Sequence, residues 1–506
     1  MHGSGDQKVE LFSYSAQSVF GRERQACNVE QLRRHLAEAR KNGWTVSFRA
    51  GQMAFDTHAL NDDMVIQLVG FATISDVVDG KITVGANAAW GDILETAKRH
   101  KHVPYVMVST EFATAGGTLS ADCLSRFSPA CGKEGNHVES FQLMKLDGEV
   151  VTCSRGTHTD LFQGAISGFG LVGVVLEITY WLMPVPHDDI VVMTEFTKFT
   201  GLRDLAQLLV TKVDGVHGKL RTDNRAPTEL SALRRILHGD AEAISSVVYM
   251  NAERQGFVMH SRYEDGKKYK LDPSPFHQPK SLAQRALQVF ALFEIPRLIG
   301  YWIILNWYLK NERTAIDEVD GFTFFQGGNH AVRSAGRKLG FPMGIRQQTF
   351  VIPLVANDPE ETKQKLGDFL EAAEAVLDRR RLSCPLIDVL YLPDDANEGF
   401  VLSSNHGISG YAITITFEDP LRASFPEEEA AYEELTQICA DMGGRVHLVK
   451  NVFARPETME QSYAWGVDRV AALKAKYDPE RMLSNGWVRR VLPSLARGLA
   501  NVDYDE

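Results

Sequence analysis

Hydrophobic positions recur at helical spacing over residues 26–42, where Leu32, Leu36 and Ala39 follow Val29. Asn28 precedes them as a candidate N-cap and Gly43 stops the run, so the pattern predicts a capped amphipathic helix. A second such helix is predicted over 90–100. Short apolar runs over 45–48, 64–68, 81–84 and 103–108 read as strands, the third opened by the turn signal Asp79-Gly80. Residues 138–145 and 149–153 flank Asp147-Gly148 and predict an antiparallel hairpin. A short helix over 160–167 and an apolar strand over 174–182 follow, and Pro184 and Pro186 then punctuate the chain. Beyond them the texture changes. Strands over 190–196, 246–250, 348–354 and 411–417 are interspersed with helices over 358–378 and 427–442, which predicts an antiparallel sheet with helices on one side. Residues 253–312 read as an insertion. A strand over 446–449 and a helix over 457–477 close the pattern. The fold class is α+β.

The regular pattern breaks over 109–138, a stretch almost without bulky aliphatic residues. Gly116, Gly117, Gly132 and Gly135 lie there among Ala, Ser and Thr. Small residues let a backbone approach a ligand closely, and successive N–H groups in such a segment form an anion-binding concavity. The stretch therefore reads as a long loop that cradles a cofactor. A second turn runs from Arg49 to Asp56, with Gly51 as its expected positive-φ residue.

Composition narrows the classes. The chain has 506 residues, 44% hydrophobic and 24% charged, so two or three domains' worth of core is available. A formal net charge of −11 gives no basic surplus for a nucleic-acid partner. Cys27, Cys123, Cys131, Cys153, Cys384 and Cys439 show no metal-ligand spacing and predict reduced thiols; no metal is expected. The first ten residues lack an apolar signal core, which with the thiols predicts a cytoplasmic chain. The segment 289–309 is apolar and aromatic, but Glu294, Pro296 and Arg297 interrupt it. It is too broken to span a bilayer and predicts either a cap helix or a peripheral membrane contact with Trp302, Trp307 and Tyr308 at headgroup level.

Several chemistries lack their carriers. The sequence has no G-x-G-x-x-G opening a strand-to-helix unit, no phosphate-loop lysine, no His-Glu-x-x-His and no G-x-S-x-G. What it has is an ordered set: the Arg49-Ala50-Gly51 turn, Thr114-Ala115-Gly116-Gly117, Gly135-Asn136-His137-Val138, Asp160-Leu161-Phe162, Gly168-x-Gly170-Leu171-Val172-Gly173, Gly443-Gly444-Arg445 leading to Lys450, and Tyr477-Asp478-Pro479. This set resembles the vanillyl-alcohol-oxidase superfamily with its PCMH-type FAD-binding domain, and within it the decaprenylphosphoryl-β-ribose 2-oxidase family.

The resemblance implies an FAD-binding domain over 1–187, a substrate or cap domain over 188–444, and a return segment over 445–506 that completes the first. It implies FAD contacts from Arg49, Ala50, Gly51, Gln52, Met53 and Ala54, then Ser109, Thr114, Ala115, Gly116, Gly117, Ala121, Asp122, Leu124, Gly132 and Asn136, with Val174 and His447. Many relatives tether the flavin through a His directly after the first-turn Gly. Here that residue is Gln52, so non-covalent FAD is expected. Lys450 stands where the family has its active-site lysine. Gln347, Thr349, Tyr391 and Thr414 fall on substrate-pocket positions. Against the ribose oxidases, Leu124 replaces a His, Ala54 a Tyr, Tyr391 a Lys, Ala412 an Asn, Thr414 a Cys and Thr349 a Gln. A pocket that loses these polar groups implies a changed, more apolar substrate.

The function so implied is an FAD-dependent oxidoreductase that takes a hydride from a substrate C–H, a secondary alcohol of sugar-like or lipophilic kind, with Lys450 assisting proton removal. Its partners would be a small-molecule substrate and an electron acceptor such as oxygen or a quinone; the oligomeric state is left open. Two alternatives stand beside it: a flavin reductase or dehydrogenase acting on a C=C or C–C bond of a lipid-like substrate, and a non-catalytic flavoprotein subunit.

Overall fold

A computed structural model describes residues 7–185, 189–217, 242–249, 254–274, 314–383 and 386–496, with isolated positions between 286 and 303. Three sheets organise them. The first has four strands, Val9–Phe12, Ser18–Ala26, Met64–Leu68 and Val46–Arg49 in spatial order, the last three parallel. The helix Val29–Asn42 connects into it. Its N-cap forms as the sequence predicts, with the Asn28 side chain accepting from Gln31 N–H at 3.0 Å, and Gly43 ends it at φ 64°. The second sheet runs Lys81–Gly85, Val174–Pro184, Val138–Met144, Val150–Ser154, with His102–Pro104 also pairing to the long strand. The strand predicted over 103–108 is only these three residues, because the chain then leaves the sheet to reach the glycine-rich stretch.

That stretch is not a loop. It folds into short helices at Ala115–Ala121 and Ser128–Cys131 and a 3₁₀ turn at Glu134–His137. Glycine serves close packing here: a Cβ on Gly116 would sit 2.6 Å from the Ala86 Cβ. The segment is pinned by buried polar groups. Trp90 donates to Thr118 at 2.9 Å, and the Glu134 carboxyl receives Thr118 at 3.0 Å and Tyr180 at 2.5 Å.

The third sheet has eight antiparallel strands in the order Thr314–Glu318, Ile190–Thr200, Gln255–Asp265, Glu242–Tyr249, Leu386–Leu392, Gly410–Asp419, Gly344–Pro353, Arg445–His447. Two expectations change. Gln255–Asp265, assigned to an insertion, is an inner strand whose hydrophobic alternation is masked by Arg262, Glu264 and Asp265 at its end. Arg445–His447, assigned to the return segment, is the edge of this sheet. The helices Leu202–His217, Pro359–Arg379 and Pro426–Asp441 pack together on one side. Strand alternation sorts the side chains. Gln348 reaches helix residue Thr436 at 2.7 Å, while Gln347 and Thr349 point the other way, toward the two smaller sheets. The predicted helix over 457–477 is two helices, Pro456–Ser462 and Ala464–Tyr477, divided at Tyr463, whose hydroxyl bonds to Val446 O.

Among the described residues no helix is long and apolar enough to cross a membrane, and none of the five described cysteines is paired.

Burial pushes the Glu134 carboxyl up to about 8, against the pull of its two hydrogen bonds. The folded protein therefore holds this proton where the unfolded chain, near 4.5, has lost it, so the group makes stability fall as pH rises through that interval. Glu134→Gln should flatten the loss of thermal stability between about pH 5 and about pH 8. Melting curves at stepped pH test this, and a wild-type slope in the variant would refute it.

Candidate functional site

Two adjoining cavities lie where the small sheets meet the large one. The first, with an empty volume of about 1430 Å³, is a groove between the turn after Val46–Arg49 and the glycine-rich stretch. Arg49, Ala50, Gly51, Gln52, Met53 and Ala54 form one wall, and Ser109, Thr114, Gly116, Gly117, Ala121 and Val174 form the other. The turn is built by contact rather than by glycine freedom. A Cβ on Gly51 would meet Phe112 O at 2.8 Å and the Thr114 methyl at 2.9 Å, and Gly51 N–H donates to the Thr114 hydroxyl at 3.3 Å. The positive-φ residue is Gln52, at 59°, not Gly51 as expected. The N–H groups of Gln52, Met53 and Ala54 have no acceptor among the described residues, and all three residues line the groove. Arg49 is buried, tied to Phe12 O at 2.8 Å and to Glu23 at 3.8 Å.

The second cavity, about 1010 Å³, opens from the first on the inner face of the eight-stranded sheet. Gln347, Thr349, Thr414, His447 and Leu124 line it. Cys123, Ser109, Gln326 and Lys450 face both cavities. The Lys450 ammonium lies 4.0 Å from the Phe55 ring centroid and has no hydrogen-bond partner among the described residues. Burial drives its pKa down to about 8, with Cys123 and Asp388 opposing the shift. Its backbone is fixed by Asn451, which exchanges bonds with Gln347 (2.9 and 3.0 Å) and donates to Ser15 at 3.1 Å. His447 Nδ1 lies 2.9 Å from the Ser404 hydroxyl, and burial, then Lys133 and Lys450, hold the ring well below its usual pKa. Its Nε2 is buried with no partner among the described residues, and so is Gln347 Oε1.

Five expected site residues fall outside both cavities. Ala115 is packed under its helix. Asp122 points away, into a buried ion cluster with Lys133 at 2.6 Å. Gly132 and Asn136 shape the backbone next to it, Asn136 accepting from Lys133 N–H at 2.7 Å. Tyr391 shares its strand face with Ile387 and Val389 and lies tilted against Tyr411, 5.7 Å between centroids; a residue one position away would face the cavity.

Sequence reasoning missed other lining residues. Phe169, Ser484 and Asn485 complete the groove, and Arg126, Phe322, Phe325 and Asp388 the second cavity. Asp388 carried a signal, an acid inside the apolar run LIDVLYL. Arg126 and the phenylalanines carried none, because their approach is tertiary. His58 is part-buried and lines the groove. It stacks between Phe169 (5.1 Å) and Trp487 (4.8 Å), with Nε2 2.8 Å from Leu448 O, and burial lowers its pKa to about 4.

The two small sheets, the helices between them and the groove they enclose form an α+β fold of the PCMH type. Comparison with known proteins agrees: residues 24–154 match the FAD binding domain model, and residues 349–491 match D-arabinono-1,4-lactone oxidase. A cytokinin dehydrogenase from Oryza sativa subsp. japonica is 23% identical over 452 residues, 80% of this chain and 75% of that one. An uncharacterised oxidoreductase of the fasciation locus in Rhodococcoides fascians is 25% identical over 180 residues, 34% of this chain and 40% of that one. The decaprenylphosphoryl-β-D-ribose oxidase of Mycolicibacterium smegmatis is 28% identical over 124 residues, 24% of this chain and 27% of that one. The Rhodococcoides and Mycolicibacterium matches thus span well under two thirds of those proteins. The domain match makes FAD the cofactor, and the relatives named are by description a dehydrogenase, an oxidoreductase and an oxidase.

Proposed function

We propose that the protein oxidises an alcohol, passing a hydride from the carbinol carbon to FAD held in the groove, with the substrate seated in the second cavity. The observation that carries this reading is Lys450, an ammonium without a hydrogen-bond partner at the junction of the two cavities. The amides of Gln52, Met53 and Ala54 would bind the cofactor's phosphates, and the small residues at Gly116, Gly117 and Ala121 would let its ring approach. Bound FAD supplies the hydride acceptor. Lys450 Nζ, neutral above about pH 8, takes the proton of the substrate hydroxyl. Gln347, Thr349, Thr414 and His447 supply hydrogen-bonding groups toward the substrate, while Leu124, Met107, Phe127 and Leu390 exclude water. The apolar walls favour a lipophilic alcohol over a free sugar. Reoxidation by oxygen would make the enzyme an oxidase, and by a quinone a dehydrogenase.

FAD is held without a covalent bond in this reading. The histidine on the groove wall, His58, is locked between two rings with its Nε2 engaged by Leu448. The segment 289–309 contains exposed apolar positions, among them Ile295 at 72% and Trp302 at 66% exposure. These support a peripheral membrane contact, which suits a lipid-like substrate; Trp307 and Tyr308 lie outside the described residues.

Anaerobic mixing with a panel of secondary alcohols should bleach the oxidised flavin band in wild type. The rate should rise through about pH 8, as the neutral amine appears. Lys450→Met should bleach at least about 100-fold more slowly, with no rise through that pH; an unchanged rate and profile would remove Lys450 from the reaction. Acid precipitation of the purified protein should leave a yellow supernatant, whereas a yellow pellet would establish a covalent link. Flotation with anionic vesicles should carry the wild type upward, and Ile295→Glu with Trp302→Glu should abolish this; flotation equal in both would place the contact elsewhere.

A further inference from the structure

Four side chains form a row across the inner face of the large sheet. Asp388 is directly opposite Thr414, Thr414 opposite Thr349, and Thr349 opposite His447. All four line the second cavity. Neighbouring strands lie about 4.8 Å apart, so the row is a ladder of polar groups along the cavity floor. Three of the four are occupied at least in part. The Thr349 and Thr414 hydroxyls bond to each other at 2.8 Å, and His447 Nδ1 meets Ser404.

Asp388 is different. Its carboxylate has no hydrogen-bond partner and no cation at ion-pair distance among the described residues. Two cations share its cavity without touching it. Arg126 is spent on aromatic faces, with its guanidinium carbon 3.9 Å from the Phe325 centroid and 4.8 Å from that of Phe322, and it donates to Phe322 O at 3.3 Å. Lys450 stands over Phe55. Burial raises the Asp388 carboxyl to about 6, the two cations acting against it. A part-buried carboxylate left without a donor is destabilising, and the apolar strand LIDVLYL would be more stable with an aliphatic residue there. Core packing therefore does not explain Asp388. Its oxygens open onto the cavity, where a ligand would supply the missing donor.

We propose that Asp388 is a specificity-determining residue of the substrate cavity: its carboxylate accepts a hydrogen bond from a donor group of the substrate other than the hydroxyl that is oxidised. The substrate is accordingly an amphiphile with two donor groups, one toward Lys450 and one toward Asp388, with an apolar body between them against Leu124, Leu390, Phe322 and Phe325. This rests on the reading of the second cavity as the substrate site, but not on turnover.

The test is binding of defined probes to the FAD-loaded protein without oxygen, followed by calorimetry and by perturbation of the flavin absorption band. The probes are α,ω-alkanediols of four, six and eight carbons and the 1-alkanols of the same lengths. Wild type should bind at least one diol about tenfold or more tighter than its matching monoalcohol, the scale of a hydrogen bond to a charged group. Asp388→Asn should reduce that preference several-fold, and Asp388→Leu should abolish or invert it. Both variants should keep their FAD content, Asp388→Asn with the wild-type melting temperature and Asp388→Leu with one at or above it. Equal affinity of wild type for diols and monoalcohols, or no binding of either, would overturn the proposal, and so would an undiminished preference in Asp388→Leu. Lys450→Met, run in parallel, separates the two readings: loss of flavin reduction with retained diol preference supports both. Absence of reduction in wild type together with a diol preference would refute alcohol oxidation and leave the role of Asp388 standing.

Discussion

One buried ammonium sets both walls of the site. Lys133 is 1% exposed and lies 2.6 Å from Asp122, 3.0 Å from Asp395 and 2.7 Å from the Ser403 hydroxyl. Asp122 immediately precedes Cys123 and Leu124, which line the cavities. Ser403 immediately precedes Ser404, which orients His447. A single charge thus joins the glycine-rich helices to the loop under the large sheet. Burial works against the charge, but the two carboxylates outweigh it and raise its pKa. Removing one partner from such a cluster typically costs about 3–5 kcal/mol, because the rest stays buried and unpaired. The geometry between Leu124 and His447 is therefore as rigid as this cluster.

The rest of the site follows from two kinds of backbone economy. In the groove, Gln52 takes a positive φ while Gly51 lets the turn press against 112–114. In the cavity, strand alternation sends Gln347, Thr349, Asp388 and Thr414 inward and leaves Gln348, Val389 and Ile413 to pack on the other side. Lys450 belongs to neither element. It hangs from the turn after Arg445–His447, and Asn451 fastens that turn to Gln347 and Ser15.

Much of this was legible in the chain because the signals were local. The cap at Asn28, the stop at Gly43 and the hairpin at Asp147-Gly148 are short-range and formed as read. The position of Lys450 was legible from its Gly-Gly-Arg context and its resemblance. The roles given to Asp122 and Asn136 followed the glycine-rich motif, but the motif does not say which way a side chain leaves the backbone; Asp122, at φ 50°, turns inward to Lys133. Tyr391 was placed in the pocket by alignment, and a one-residue parity puts it on the opposite face. Gln255–Asp265 was hidden because an inner strand bordered by charged residues lacks a clean period. Arg126, Phe322 and Phe325 meet only through the fold, and no window of sequence holds them together.

The closing of the groove depends on distant chain. Asp56, at the end of the first turn, is fully buried; burial would raise its pKa, but Arg490 outweighs this and holds it low. Arg490 reaches Asp56 at 2.5 Å, and Val452 N–H donates to the same carboxylate oxygen at 3.2 Å. A ribosome adds roughly 5–20 residues per second, so Asp56 waits on the order of twenty seconds to a minute and a half for its arginine. Throughout that interval the Asp56 carboxylate has the neighbouring Thr57 N–H and hydroxyl as donors but no arginine. The chain can assemble its first sheet early, but the acid at the end of the groove turn meets its counter-charge only when translation has almost ended.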